Sequence, residues 1–324
     1  MRTPRPLPEQ LPPAFRVGEA RRLGVGRSRL DGADLERPFT GVRMQRQTRL
    51  DPTLTPRAEA LREEAIRRAN AYAARMRPTE FFSHTTAALL WGLPLPLLVD
   101  ELVDASICRP ERASRGAGVR GRQIDPRLVR VTTRNSLRVT TPASTWACLG
   151  TVLSPYDLVA VGDAIVCVRA SSGGNGSPAP PPLATLNQLR AAIDAGRRPG
   201  VGALRDAFGR IRTGSWSRLE TWVRLILIDA GLPEPVLNFD AYDTAGRFLG
   251  CIDLAYPDLK IAIEYEGDHH WMTAEQFQHD IDRLNRLVEA GWRIVRITKG
   301  HVFTNPTEVV RRVSVARAQR ETAR

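Results

Sequence analysis

Two short apolar runs near the C-terminus, FLGCIDLAYP at 248–257 and KIAIEYEG at 260–267, carry carboxylates where an interior strand has least use for them. Asp253 interrupts the first run, and Glu264 and Glu266 stand in the second. Short apolar runs bounded by turn residues read as strands, and Pro257-Asp258 supplies a turn between these two. Strand residues two apart share a face at about 7 Å spacing, so Glu264 and Glu266 point the same way and a hairpin brings Asp253 beside them. Carboxylates drawn together on interior strands pay for desolvation and mutual repulsion, and a bound cation is the expected compensation. Hard oxygen donors with open positions suit Mg²⁺ or Mn²⁺. The competing reading is a solvent-exposed sheet face lined by Glu264 and Glu266.

The flanking sequence supplies the rest of a domain. SRLETWVRLILIDAGL at 217–232 has a strongly apolar helical face and stops at Gly231, and VLNFDAYD at 236–243 reads as a strand closed by a turn at Thr244-Ala245-Gly246. After the acidic strand come a long helix from about Thr273 to Ala290, a short strand WRIVRIT, and a last helix beyond Pro306. The expected order is α-β-β-β-α-β-α, within a chain whose fold class is α/β in the α+β sense.

A Glu on the first helix, an Asp on a strand and Glu-x-Glu on the next resemble the PD-(D/E)XK nuclease superfamily, and IDLAYPDLKIAIEYEGDHH at 252–270 resembles its Vsr-like, very-short-patch-repair-like branch. The resemblance covers about 215–303 and implies a restriction-endonuclease-like core that hydrolyses phosphodiester bonds with Mg²⁺ or Mn²⁺. It implies that Asp253 and Glu264 bind the metal and that Glu220 assists from the first helix. His270, or equally its neighbour His269, would be an acid or base near the scissile phosphate, and Arg283 would meet the phosphate. The sequence departs from the common pattern at Glu266, where a lysine usually stands; a glutamate there adds metal affinity or acts as a base.

Charge separates this domain from what precedes it. From Ser215 onward there are 14 basic and 16 acidic residues, whereas the first 214 residues hold 33 basic and 19 acidic ones, a net +14. Such an excess points to a polyanionic partner, double-stranded DNA above all. Residues 1–20 are proline-rich and aperiodic and read as a disordered tail. The following stretch, with Ser28 as a candidate N-cap and an extended Gly-Val-Arg-Met at 41–44, suits a recognition helix and wing, or an ordinary helix and strand. PRAEALREEAIRRANAYAARM at 56–76 is a helix, SHTTAALLWG at 83–92 a second short one with His84 in a capping or packing role, and 97–140 a small mixed sheet. Gly116, Gly118 and Gly121 match G-x-G-x-x-G by letter, but no helix follows, so a turn is expected rather than a dinucleotide site. Further helices begin at Thr141-Pro142 and Ser154-Pro155, a flexible loop spans 171–182, and two amphipathic helices lead to 214.

The wing-like segment, SHTTAALLWGLPLP and LRVTTPASTW resemble, more loosely, the AbiEi-type antitoxin proteins of type IV toxin–antitoxin systems. That resemblance implies DNA-binding transcriptional repression and a toxin as genetic partner. The expected organisation is thus a tail at 1–20, a basic DNA-binding region at 21–214 and a nuclease-like domain at 215–324. The apolar runs are too short to span a bilayer and the opening residues lack a secretory h-region, so a cytoplasmic location without membrane contact is expected. Four dispersed cysteines argue against disulfides and structural zinc. Two functions follow: a metal-dependent DNA endonuclease, or a non-enzymatic antitoxin-like DNA-binding regulator with an inactive nuclease-like domain. The oligomeric state is not encoded in these patterns.

Overall fold

The computed structural model describes residues 5–46, 57–96, 102–168, 180–266 and 274–322. The described residues fall into two compact units of an α+β protein, one from 1–152 and 186–205, the other from 153–185 and 206–324. Among them no helix is long and apolar enough to cross a membrane.

The first unit opens with β1 (Ala14–Arg16), α1 (Val17–Arg22), α2 (Arg27–Leu30), β2 (Leu35–Glu36) and β3 (Val42–Gln45). The strands form an antiparallel sheet in the order β1-β3-β2. Leu11, Phe15, Ala20, Val25, Leu30 and Leu35 close a small core beneath it. The expected tail is therefore ordered from within: prolines mask the pattern, yet Phe15 is fully buried and holds β1 in the sheet. Ser28 lies inside α2, whose N-cap is Gly26 without a side-chain hydrogen bond.

Next come α3 (Arg57–Ala73), β4 (Phe81–Phe82), α4 (His84–Leu90), β5 (Val103–Cys108), β6 (Val119–Ile124), β7 (Val131–Arg134), β8 (Leu137–Thr140) and α5 (Pro142–Cys148). The strands form a mixed sheet in the order β6-β5-β4-β8-β7, with β5–β6 and β4–β8 parallel. Thr141 caps α5 by accepting from the Ser144 amide, with Pro142 in the first turn where no amide donor is missed. The glycine motif is a tight turn into β6 with no helix after it: Gly118 has φ +77°, and a Cβ on Gly121 would come within 1.9 Å of the Ser114 carbonyl oxygen.

α6 (Pro155–Val166) groups with the second unit, which thus also takes in residues N-terminal to the expected boundary at 214. The physical reason is a wholly buried ion pair: Arg224 donates to Asp163 at 3.0 Å, and Asp163 also accepts from Thr221 Oγ1 and the Arg212 amide. α7 (Leu186–Asp194) returns to the first unit, and α8 (Val201–Arg210) carries the boundary. The loop expected at 171–182 lies mostly outside the described residues.

The second unit continues through α9 (Arg218–Asp229), β9 (Val236–Tyr242), β10 (Phe248–Tyr256), β11 (Ile261–Glu266), α10 (Ala274–Glu289), β12 (Arg293–Thr298), α11 (Lys299–Phe303) and α12 (Pro306–Thr322). The sheet order is β12-β11-β10-β9, antiparallel except for the β11–β12 pair. Val223 and Leu227 of α9 and Val309 and Val313 of α12 pack with Leu254, Ile261, Ile263 and Ile297, while Leu287 of α10 packs with Ala241, Ile252, Ala255 and Ala262. Both faces are covered, so a carboxylate on β10 or β11 meets a protein environment.

Candidate active site

The acidic residues gather where the β10–β11 ladder opens. Pairing runs from Tyr256↔Ile261 to Leu254↔Ile263 and stops. One step further, the Asp253 side chain replaces the ladder partner: its Oδ2 accepts from the Tyr265 amide at 3.0 Å. β11 stays paired to β12 through Glu266↔Thr298, so β11 leaves β10 without leaving the sheet. The opening places Glu264 within electrostatic reach of Asp253.

Glu264 is only 6% exposed and is gripped by α10. Arg283 donates from Nη1 to Oε1 at 3.0 Å and from Nη2 to Oε2 at 2.8 Å, a bidentate pair. The same guanidinium donates from Nη1 to the Cys251 carbonyl oxygen and from Nη2 and Nε to Asp280 Oδ1. Gly250 makes this approach feasible, because a Cβ there would stand 2.7 Å from Arg283 Cγ. A guanidinium has five N–H groups, and all five are now committed. In this arrangement Arg283 acts as the counter-charge of the acidic cluster, and the phosphate contact expected from sequence would require it to change partners.

Glu220 approaches from the first turn of α9. Its amide is capped by Ser217 Oγ at 3.1 Å, and its Oε2 accepts from the Trp216 amide at 2.9 Å and from Asn238 Nδ2 at 2.8 Å. Asn238 sits on β9 at φ +45°, a left-handed conformation that asparagine tolerates better than most residues, and it also donates to the Gly214 carbonyl.

Burial raises the carboxyl pKa of all three acids. Burial, with help from Asp253, pushes Glu264 up to about 7 even though Arg283 opposes the shift. Asp253 is raised by burial and by Asp280, against the Tyr265 amide and Arg283, and Glu220 is raised by burial and by Asp253. Arg283 is itself held above its ordinary value by Glu264 and Asp280, which outweigh burial. Three carboxylates, Asp253, Glu264 and Asp280, thus share one guanidinium. The Cys251 thiol beside them is pushed up to about 12, by burial first and then by Asp240, which disfavours the thiolate form.

The structure brings Glu220, Asp253, Glu264 and Arg283 together. The Glu266 side chain, His269 and His270 lie outside the described residues. Asp280 and Asn238 were not expected. Asp280 had one sequence signal, since it stands three residues before Arg283 on the same helix. Among the described residues no group of three or more His, Cys, Asp or Glu is arranged to hold a metal ion. The donor chemistry nevertheless fits a hard divalent cation: carboxylate oxygens predominate, negative charge is in surplus, and Asp253 Oδ1 accepts no hydrogen bond among the described residues.

No family model matches the chain. It is similar to two uncharacterized proteins of Mycobacterium tuberculosis, MT2308 of strain CDC 1551 / Oshkosh and Rv2248 of strain ATCC 25618 / H37Rv. Each is 32% identical over 123 residues, which are 38% of this chain and 45% of the relative. The chain thus spans less than half the length of the curated relatives it matches.

Proposed function

We propose that this protein is a Mg²⁺- or Mn²⁺-dependent endonuclease that hydrolyses phosphodiester bonds in double-stranded DNA, acting in the cytoplasm, with its basic first unit holding the duplex. The observation that carries this reading is the convergence of Glu220, Asp253 and Glu264 at the opening of the β10–β11 ladder. Structural carboxylates have no need to gather where burial raises the pKa of each, and perturbed, desolvated acids of this kind mark functional sites. The restriction-endonuclease-like reading of α9-β9-β10-β11-α10-β12 and its Vsr-like resemblance support the same assignment.

Asp253 and Glu264 would hold the cation, with Glu220 assisting. When bound, such a cation stabilises charge on the phosphate and lowers the pKa of a coordinated water. The protein's own part is to exclude bulk water through the helix layers on both faces and to present carboxylate oxygens from two diverging strands. Arg283 must exchange its fork on Glu264 for other acceptors when a cation takes its place. Glu266 and His269 or His270 are the proposed bases or acids.

The full commitment of Arg283 favours a second reading, in which an antitoxin-like DNA-binding regulator with a cognate toxin carries a nuclease-like scaffold neutralised from within. Nicking of supercoiled plasmid separates the two. The endonuclease reading expects nicking with Mn²⁺, none with chelator, and none from Asp253→Asn or Glu264→Gln; absence of nicking by the intact protein favours the regulator, and metal-independent nicking would count against both.

A further inference from the structure

The basic excess is unevenly spread over the first 214 residues. Residues 109–138 hold nine arginines and two acidic residues, a net +7, which is half of the excess of the first 214 residues. In the opening segment several arginines meet acids of the same segment: Arg29 forks onto Asp34, and Arg37 and Arg43 share Asp31. Arg112 and Arg115 are both exposed, and neither forms an ion pair among the described residues.

These two arginines line a cavity of about 870 Å³ with Ser114, Gly121 and Gln123, beside the outer strand β6. The loop that carries them is fixed at its backbone. Arg77 donates to the Arg112 carbonyl oxygen at 2.7 Å, Ser114 donates to the buried Glu80, and Gln123 Nε2 donates to the Glu111 carbonyl oxygen. The side chain that glycine lacks at 121 is what lets the loop lie on the strand. A rigid frame thus presents uncommitted guanidinium groups, the arrangement that lowers the entropy lost on binding an anion.

We infer that this β6-edge cavity is a contact site for the phosphate backbone of duplex DNA, with Arg112 and Arg115 as the phosphate-binding residues. The inference rests on the DNA-binding reading above and locates it. Two features select backbone over bases. Arginine donors match phosphate oxygens, and no residue lining the cavity is aromatic, so the stacking platform that unpaired bases require is missing. Contacts of this kind position a duplex and carry no sequence information.

The test is the salt dependence of binding by the full-length protein to a labelled duplex in chelator, where cleavage plays no part. Each phosphate contact contributes about 0.9 to the slope of log K against log salt, so Arg112→Ala/Arg115→Ala is expected to lower the slope by about 1.8 with an unchanged melting temperature. Arg112→Lys/Arg115→Lys keeps both charges and is expected to keep the slope. An alanine pair with the parent slope and affinity overturns the inference while leaving DNA binding intact, as does a lysine pair that loses the slope. A parent protein that fails to bind duplex at low salt overturns the DNA-binding reading with it.

Discussion

Arg283 and Glu264 form a two-pronged ion pair, at 3.0 and 2.8 Å, that occupies both oxygens of the carboxylate on which the proposed chemistry depends. The pair makes the acidic cluster tolerable in the absence of a cation, and it also competes with one. Substrate or metal binding must therefore supply enough interaction to release a guanidinium with five committed donors.

Arg283→Gln tests that competition. Breaking a buried pair from one side typically destabilises a protein by about 3–5 kcal/mol, since the remaining charge is left without a partner. The metal-free variant is expected to melt well below the parent, and Mn²⁺ is expected to restore more of its stability than it adds to the parent. Differential scanning fluorimetry with and without Mn²⁺ reads both effects, and equal metal-induced shifts in the two proteins would argue against a shared site.

Asp253→Asn should act in the opposite sense on the metal-free protein. The amide oxygen still accepts from the Tyr265 amide; the cost of burying the Asp253 charge disappears together with the repulsion from Asp280, Glu220 and Glu264, and outweighs the lost attraction of Arg283. A gain of about 1 kcal/mol, or roughly 2–4 °C for a unit of this size, is expected without metal. The Mn²⁺-dependent gain and plasmid nicking are expected to vanish together. A variant that melts lower than the parent and still nicks would remove Asp253 from the site.

Much of this architecture is legible in the residues themselves, and the exceptions have physical causes. Thr141-Pro142, Ser154-Pro155 and Ser217 mark helix starts because a hydroxyl caps the first amides, and all three do so. Asp253 and Glu264 stand out because each breaks an apolar run. The fork of Arg283 onto Glu264 and the Cys251 carbonyl was not legible, since its position depends on the missing side chain of Gly250 and on the packing of α10 across the sheet. The membership of α6 was hidden for a similar reason: Asp163 reads as an ordinary helix residue until Arg224, 61 positions away, meets it in the interior. β1 was obscured by its proline-rich surroundings, where the widely spaced Leu11 and Phe15 are buried without a periodic pattern.

The Asp163–Arg224 pair holds α6 to α9, so its loss should detach that helix rather than alter the acidic site. Arg224→Met leaves Asp163 buried with only the Thr221 and Arg212 donors. A destabilisation of about 3–5 kcal/mol is expected, and Asp163→Leu/Arg224→Met should recover much of it, because apolar replacement of a buried pair is often neutral or stabilising. Chemical denaturation of the three proteins measures the recovery. A double variant no more stable than the single one would mean that the pair does more than neutralise itself.

The last prediction concerns His84, whose position in the first unit makes acid stability measurable at one side chain. The residue is buried at the start of α4 with φ +48°, and its Nδ1 lies 2.8 Å from Ser83 Oγ, which also bonds Ser106 Oγ. Burial lowers the imidazole pKa to about 3, and the positive charges of Arg122 and Arg120 on β6 push the same way. Asp104 faces those arginines, at 3.3 Å from Arg122 and 3.5 Å from Arg120, and also accepts from Thr85, so its charge is already engaged. The imidazole is neutral in the folded protein and takes up a proton on unfolding below its ordinary value near 6.5. A depressed folded pKa gives stability that is complete above that value and is lost as pH falls toward 3, at up to about 1.4 kcal/mol per pH unit. His84→Asn removes the titration and suits the left-handed backbone. Denaturant midpoints from pH 7 to about pH 4 are therefore expected to fall more steeply for the parent than for His84→Asn, by one proton's worth of slope. Parallel curves for the two proteins would show that the histidine is already charged in the fold.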